Sequence, residues 1–269
     1  MREQWRRVIY PAYSFLCEFM SKNSFRVGNT EHVLVGSWIT LAHPAIAEIM
    51  AKAGFDWLAV DMEHSVITIR EAEELIRVID LAGVVPLVRL TSNNTDQIKR
   101  VMDAGAYGII VPMVNSSEDA EKAVRAVKYP PSGGRGVGLA RAQGYGASFR
   151  SYLDWQKDAT TVIVQVEHID AVNNLEAIFS VDGVDGYIIG PYDLSGSLGV
   201  PGQFDHPDFL NAMERVKAVA GKTGMAGGIH VIEPDPEQLR LRIEKGSGID
   251  VDMNGELYNC NNLVLCGLV

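Results

Sequence analysis

A chain of 269 residues, 47% hydrophobic and 22% charged, is long enough to bury a substantial core and has the balance of one folded domain rather than a disordered or membrane-embedded chain. Its formal charge of -10 and isoelectric point near 5.1 exclude phosphate-backbone binding, which rests on clustered Lys and Arg. No apolar run reaches the ~18 residues that a bilayer-spanning helix needs, so the expected partners are small molecules, neither nucleic acid nor membrane.

Residues 1–22 carry Arg2, Arg6 and Arg7 ahead of a mixed aromatic run that includes Glu18, without the clean apolar core or small-residue cleavage site of a signal peptide. They are expected to form an extension outside the domain, with Met20 as a candidate start. From residue 33 short apolar runs alternate with amphipathic stretches, which is the rhythm of βα units. Strands are predicted at 33–39, 57–60, 85–89, 108–111, 162–166, 186–189, 225–229 and 249–252. Helical spacing of apolar residues predicts helices over 69–81, 95–104, 116–127, 171–179, 207–220 and 235–245, with Ser116 or Ser117 as an N-cap. Strands that read as continuous apolar runs suit a parallel sheet buried on both faces. No glycine-rich phosphate turn follows the first strand, which disfavours an open doubly wound sheet. The expectation is a single α/β domain over 23–269, a (β/α)8 TIM barrel. Residues 129–161, with Pro130, Pro131 and glycines from Gly133 to Gly146, read as an irregular loop that is functional or contacts a neighbour. The end, from Gly255, reads as a short, glycine-broken tail. Cys17, Cys260 and Cys266 form no metal or redox spacing and read as reduced thiols of a cytoplasmic protein.

In such a barrel, polar residues at the C-terminal ends of the strands face the catalytic mouth. Glu167 and Asp193 follow neighbouring strands and offer two oxygen donors to a hard divalent ion, Mg²⁺ with Mn²⁺ or Co²⁺ as substitutes. On spacing alone they read equally as a solvated acid pair. Arg89 ends an apolar strand, where a permanent cation can hold an enolate oxygen or pair with Asp61 or Glu63. His64 has the side chain suited to proton transfer, with Asp61 or Asp103 as the carboxylate on its other nitrogen, and reads otherwise as a structural histidine. Gly190-Pro191-Tyr192-Asp193 is a turn whose Tyr192 and Asp193 N–H groups can receive a carboxylate, or simply joins strand to helix. His43-Pro44 and His206-Pro207 look like helix starts, Trp38 like mouth wall or core. Gly133-Gly134-Arg135-Gly136 lacks the Lys-Ser/Thr of a phosphate loop. No lysine stands at the expected mouth positions, which disfavours a Schiff base.

Gly54-Phe55-Asp56-Trp57 through Asp61-Met62-Glu63-His64, Pro86-Leu87-Val88-Arg89, Tyr129-Pro130-Pro131 with Arg135-Gly136-Val137-Gly138, Gln165-Val166-Glu167 and Gly190-Pro191-Tyr192-Asp193-Leu194-Ser195 form an ordered set that resembles the HpcH/HpaI aldolase family of metal-dependent pyruvate aldolases. The resemblance implies a barrel of the phosphoenolpyruvate/pyruvate type, with metal on Glu167 and Asp193 and His64 as base. It further implies that Arg89 stabilises an enolate, that Asp103 raises the basicity of His64, and that Gln165 with the Tyr192 and Asp193 main chain holds pyruvate. It implies cleavage of a 4-hydroxy-2-oxo acid to pyruvate and an aldehyde, or the reverse, in a homo-oligomer, trimer or hexamer. A citryl- or malyl-CoA-type lyase, an oxaloacetate decarboxylase and a silent binding barrel stand as alternatives. Residues 143–150 are expected among the loops that set aldehyde specificity. Two departures stand out: His168 replaces a small polar residue, leaving open a metal contact or an outward side chain, and the ending lacks the family's last helix.

Overall fold

The computed structural model describes residues 34–231, 250–251, 257–258 and 262–266. The expectations for residues 1–22, for Met20 and for a helix at 235–245 lie outside these. In chain order the strands are β1 Leu34–Ile39, β2 Trp57–Asp61, β3 Val85–Arg89, β4 Gly108–Val111, β5 Thr161–Val166, β6 Gly186–Ile189, β7 Gly227–Val231, β8 Asp250–Val251, β9 Leu257–Tyr258 and β10 Asn262–Cys266. The helices are α1 Pro44–Lys52, α2 Ile69–Leu81, α3 Thr95–Asp103, α4 Ser117–Val127, α5 Phe149–Ala159, α6 Ile169–Asn173, α7 Leu175–Phe179, α8 Pro191–Ser197 and α9 Pro207–Thr223. Parallel pairing runs β1-β10-β7-β6-β5-β4-β3-β2 and returns to β1, which bonds both β2 and β10, so the sheet curls round on itself.

Alternation along each strand sorts its residues between two layers. Trp57, Ala59, Leu87, Ile110, Ile163 and Ile188 pack with Trp38 inside the curl. Leu58, Val60, Val88, Ile109, Val162 and Val164 pack outward against helix residues such as Leu75, Ile79, Ile98 and Val101. The inward phase continues from Ala59 to Asp61, from Leu87 to Arg89 and from Ile163 to Gln165, so the residues that end the hydrophobic layer at the strand C-termini are polar and buried or half-buried. Helix starts follow their sequence signals. Thr68 and Glu71 form a capping box on α2, Ser116 accepts from the Asp119 N–H, and the His43 and His206 rings accept from the Ala45 and Asp208 N–H groups.

The eighth parallel strand is not the one predicted. Residues 250–251 pair antiparallel with Leu257–Tyr258, and Asn262–Cys266 takes the place between β1 and β7. Ile249-Asp250-Val251-Asp252 has the required alternation but carries an acid at every second place, whereas Asn262-Leu263-Val264-Leu265-Cys266 is the more continuous apolar run that a parallel strand prefers. Residues 171–179 form two short helices, and 129–161 contains α5 besides a 3-10 helix at Arg141–Gly146.

Gly36 leaves room for the fully buried Trp57, because a Cβ there would lie 2.1 Å from the indole ring. Gly36→Ala is expected to lower the unfolding free energy by roughly 1–3 kcal/mol or more, as overpacking does. Gly221→Ala in α9, whose Cβ would meet nothing within 4 Å, should instead add about 0.5–1 kcal/mol. Urea unfolding of the two variants measures both.

Candidate active site

The site begins with a register. Asp61 and Arg89 are Cα partners at the ends of β2 and β3, both on the inward phase, so their side chains meet. Arg89 donates from Nε and Nη2 to the two Asp61 oxygens at 2.8 and 2.6 Å, and its guanidinium lies 4.2 Å from the centre of the Trp38 ring. Such a fork fixes orientation as well as charge. Asp61 Oδ1 also accepts from the N–H groups of Glu63 and His64 at 3.0 and 3.3 Å, which wraps the turn after β2 around one carboxylate. That turn sets Glu63 Oε2 3.5 Å from Arg89 Nε and 3.8 Å from His64 Nε2. His64 reaches outward, its side chain 60% exposed.

Across the mouth, Glu167 follows β5 and is buried. Its Oε1 accepts from the Met113 N–H at 2.6 Å and its Oε2 from Gln165. Met113 adopts a left-handed φ of 53°, a conformation that costs a non-glycine residue on the order of 1–2 kcal/mol. Gly190 makes the carboxylate possible, since a Cβ there would stand 2.8 Å from Glu167 Oε2. Asp193 lies in the first turn of α8, and the N–H groups of Tyr192 and Asp193 precede Leu194, whose N–H bonds the Gly190 carbonyl at 2.9 Å.

These acids feel one another. Burial pushes the Glu167 carboxyl up to about 7; the Met113 N–H opposes the rise, and the charges of Glu63 and Asp193 add to it. Burial likewise pushes Glu63 up to about 7, opposed by Arg89 and reinforced by Asp61 and Asp193. Glu63 Oε2 and Gln165 Oε1 are buried with no hydrogen-bond partner among the described residues. No group of three or more His, Cys, Asp or Glu side chains stands ready to hold a metal ion among those residues. Yet mutually repelling carboxylate oxygens are the donor chemistry a hard divalent cation takes, with water and substrate oxygens completing its shell. Glu167 and Asp193 fit that use.

Met113 is the participant that sequence reasoning did not assign, and Glu63, expected only as an ion-pair partner of Arg89, stands 3.5 Å from Arg89 Nε. Met113 acts through its backbone and leaves no side-chain signal. His168 caps α6, its Nδ1 accepting from the Asp170 N–H at 3.1 Å, which answers the question its position raised. Asp103 is not brought to His64 within this chain. It ends α3, which runs back toward the strand N-termini, and it faces Arg135, Gln143 and Lys99. Residues 143–150 begin at that same far end, where Gln143 bonds the Tyr129 hydroxyl and Arg141 bonds Asp80 at the end of α2. They do not frame the mouth as expected.

The curled parallel α/β sheet with its acid-rich C-terminal mouth is that of a carbon–carbon lyase of the aldolase class, as its relatives show. The chain belongs to the HpcH/HpaI aldolase/citrate lyase family, whose model matches residues 34–255. It is 41% identical over 227 residues to a hydroxypyruvate/pyruvate aldolase of Sagittula stellata, covering 84% of this chain and 87% of that one. It is 39% identical over 210 residues to a 4-hydroxy-2-oxo-heptane-1,7-dioate aldolase of Salmonella heidelberg, covering 77% and 78%. Among solved structures, an HpcH/HpaI aldolase/citrate lyase family protein of Burkholderia cenocepacia superposes with a TM-score of 0.77 at 31% identity, covering 99% of this chain and 93% of that one.

Glu63 and Glu167 keep their protons in the fold up to about 7, where an unfolded carboxyl near 4.5 has lost its own. Their contribution to stability is therefore full below about 4.5 and is lost as pH rises through about 7. In excess EDTA, Glu167→Gln should gain stability relative to the parent between about pH 5 and 8 by urea unfolding. A difference that stays flat across that range would reject the assignment.

Proposed function

We propose that this chain is a metal-dependent class II pyruvate aldolase, cleaving a 4-hydroxy-2-oxo acid to pyruvate and an aldehyde or running the reverse addition. The observation that carries the reading is the Arg89 guanidinium, locked by Asp61 and Trp38 and set in one mouth with Glu63, Glu167 and Asp193.

Held by Glu167 and Asp193, a divalent ion, Mg²⁺ by preference and Mn²⁺ or Co²⁺ as substitutes, would act as a Lewis acid toward the carboxylate and keto oxygens of the 2-oxo acid. Gln165 and the N–H groups of Tyr192 and Asp193 orient the pyruvate carboxylate. Arg89 faces the keto oxygen and stabilises the negative charge that develops there as the methyl carbon becomes nucleophilic, at no reorganisation cost because Asp61 already fixes it. His64, exposed at the rim, moves the proton at the aldehyde or alcohol oxygen. Asp103, at the other end of the sheet, can raise the basicity of His64 only from a second copy of the chain, which accords with a trimer or hexamer. The curled sheet supports a complete (β/α)8 barrel of the phosphoenolpyruvate/pyruvate type. No described helix is long and apolar enough to cross a membrane, and the acidic composition with unspaced cysteines supports a cytoplasmic enzyme.

Arg89→Lys keeps a cation but loses the fork, and Arg89→Ala removes both; each should cut turnover at least about 10²-fold, as loss of a charge-stabilising donor does. The measurement is pyruvate release from a 4-hydroxy-2-oxo acid, with circular dichroism to show that the lysine variant is folded. Full activity in both would refute the role of Arg89. Exchange of pyruvate methyl protons in D₂O with Mg²⁺ should stop in EDTA and return with added metal. A silent binding barrel would show no exchange at all, and exchange that continues in EDTA would reject the metal.

A further inference from the structure

Met113 holds Glu167 through its N–H at 2.6 Å while in a left-handed conformation, φ 53°. Its side chain, 48% exposed, packs too little to keep it there. The support comes from the residues that follow. Val114 is fully buried. Asn115 is bonded at both backbone groups: its N–H donates to Asp119 Oδ2 at 3.2 Å, and its carbonyl accepts from the Asn174 side-chain amide at 2.9 Å. The Ser116 hydroxyl donates to the same Asp119 oxygen at 3.0 Å and accepts from the Asp119 N–H at 3.1 Å. The Asp119 carbonyl in turn accepts from the Asn93 side-chain amide at 2.8 Å. One residue in the first turn of α4 thus ties the segment after β4 to the loop after β3, while Asn174, between α6 and α7, ties it to the chain that follows β5.

Starting the helix requires less than this. At α2 the acid in the same position, Glu71, bonds the N–H and hydroxyl of its own cap, Thr68. Asp119 reaches one residue further back, to the Asn115 N–H, and so acts on the turn that carries Met113. We infer that Asp119 is a positioning residue for the metal-binding carboxylate: by clamping Asn115 and Ser116 it holds the Met113 N–H on Glu167, and so sets how tightly the mouth takes a divalent ion. The inference rests on the reading of Glu167 as a metal ligand. With the clamp gone, Met113 relaxes toward an ordinary negative φ, its N–H turns away, and Glu167 Oε1 loses the donor that orients it.

The test is Mn²⁺ binding to the full chain by calorimetry. Asp119→Ala should weaken binding at least about tenfold, the usual effect of losing a residue that orients a metal ligand. Asp119→Asn, whose amide oxygen still accepts, should keep most of the affinity. Deuterium exchange at the Met113 amide should be faster in Asp119→Ala before any metal is added. Adding Met113→Gly to Asp119→Ala should recover part of the lost affinity, because glycine adopts the left-handed conformation without support. Should Asp119→Ala fail to fold by circular dichroism, Asn174→Ala, which frees the Asn115 carbonyl, replaces it and should weaken binding severalfold. A folded alanine variant that binds Mn²⁺ as the parent does overturns the inference, and so does a loss that Met113→Gly leaves untouched. A parent that binds no Mn²⁺ sinks the metal reading itself, and this inference with it.

Discussion

The organisation of the mouth depends on one contact, the two-pronged bond between Arg89 and Asp61. Because these residues are register partners on adjacent parallel strands, the backbone ladder itself sets their separation. The pair is nearly buried, with side chains 13% and 2% exposed. Removing either partner would strand the other charge at a cost of about 3–5 kcal/mol. Trp38 closes one face of the guanidinium. Asp61 meanwhile gathers two N–H groups of the following turn, so the same carboxylate that holds the cation also decides where Glu63 and His64 stand. A single side chain thus couples the strand register to the placement of Glu63 and His64.

Opposite this pair the fold concentrates negative charge where burial resists it. Burial pushes the carboxyls of Glu167 and Glu63 both up to about 7, so a cation held here would displace protons from them. The fold supports that arrangement locally. Met113 stays left-handed to aim its N–H at Glu167, and Gly190 withholds a side chain from the same space. Backbone strain and acid repulsion at one site, with regular packing elsewhere, is the pattern of a site selected for binding over stability.

Much of this was legible in the residues and some was not. Val85–Arg89, Gly108–Val111 and Gly186–Ile189 stand where apolar runs predicted strands, because a strand buried on both faces has little choice of composition. The last strand was missed because Ile249–Asp252 alternates as a strand should, while Asn262–Cys266 hides in an ending that glycine and asparagine make look irregular. Asp103 teaches a different lesson. The family resemblance implied a place for it beside His64, yet the predicted helix over 95–104 already implied a chain running away from the mouth, so direction alone argued against contact within one chain. Met113 was beyond reach, since no side-chain pattern announces a backbone donor.

The two ends of the sheet also divide their chemistry. At the far end Arg135 is buried, stacked 4.0 Å over Tyr129 and bonded to the Tyr152 hydroxyl at 2.7 Å, with Asp103 acting on it electrostatically. This cation is held among aromatic rings by a glycine-rich segment whose sequence resembles a phosphate cradle only weakly. The motif Arg135-Gly136-Val137-Gly138 therefore marks the family through architecture: a glycine at 133 fits where a Cβ would lie 2.3 Å from the Lys128 carbonyl, and the loop closes over the guanidinium. A conspicuous arginine in a glycine setting is thus no guide to anion binding by itself. The end of the strand at which it lies decides, and in this chain that separates Arg89, at the C-terminal mouth beside Asp61 and Glu63, from Arg135, which packs among aromatic rings at the far end of the sheet.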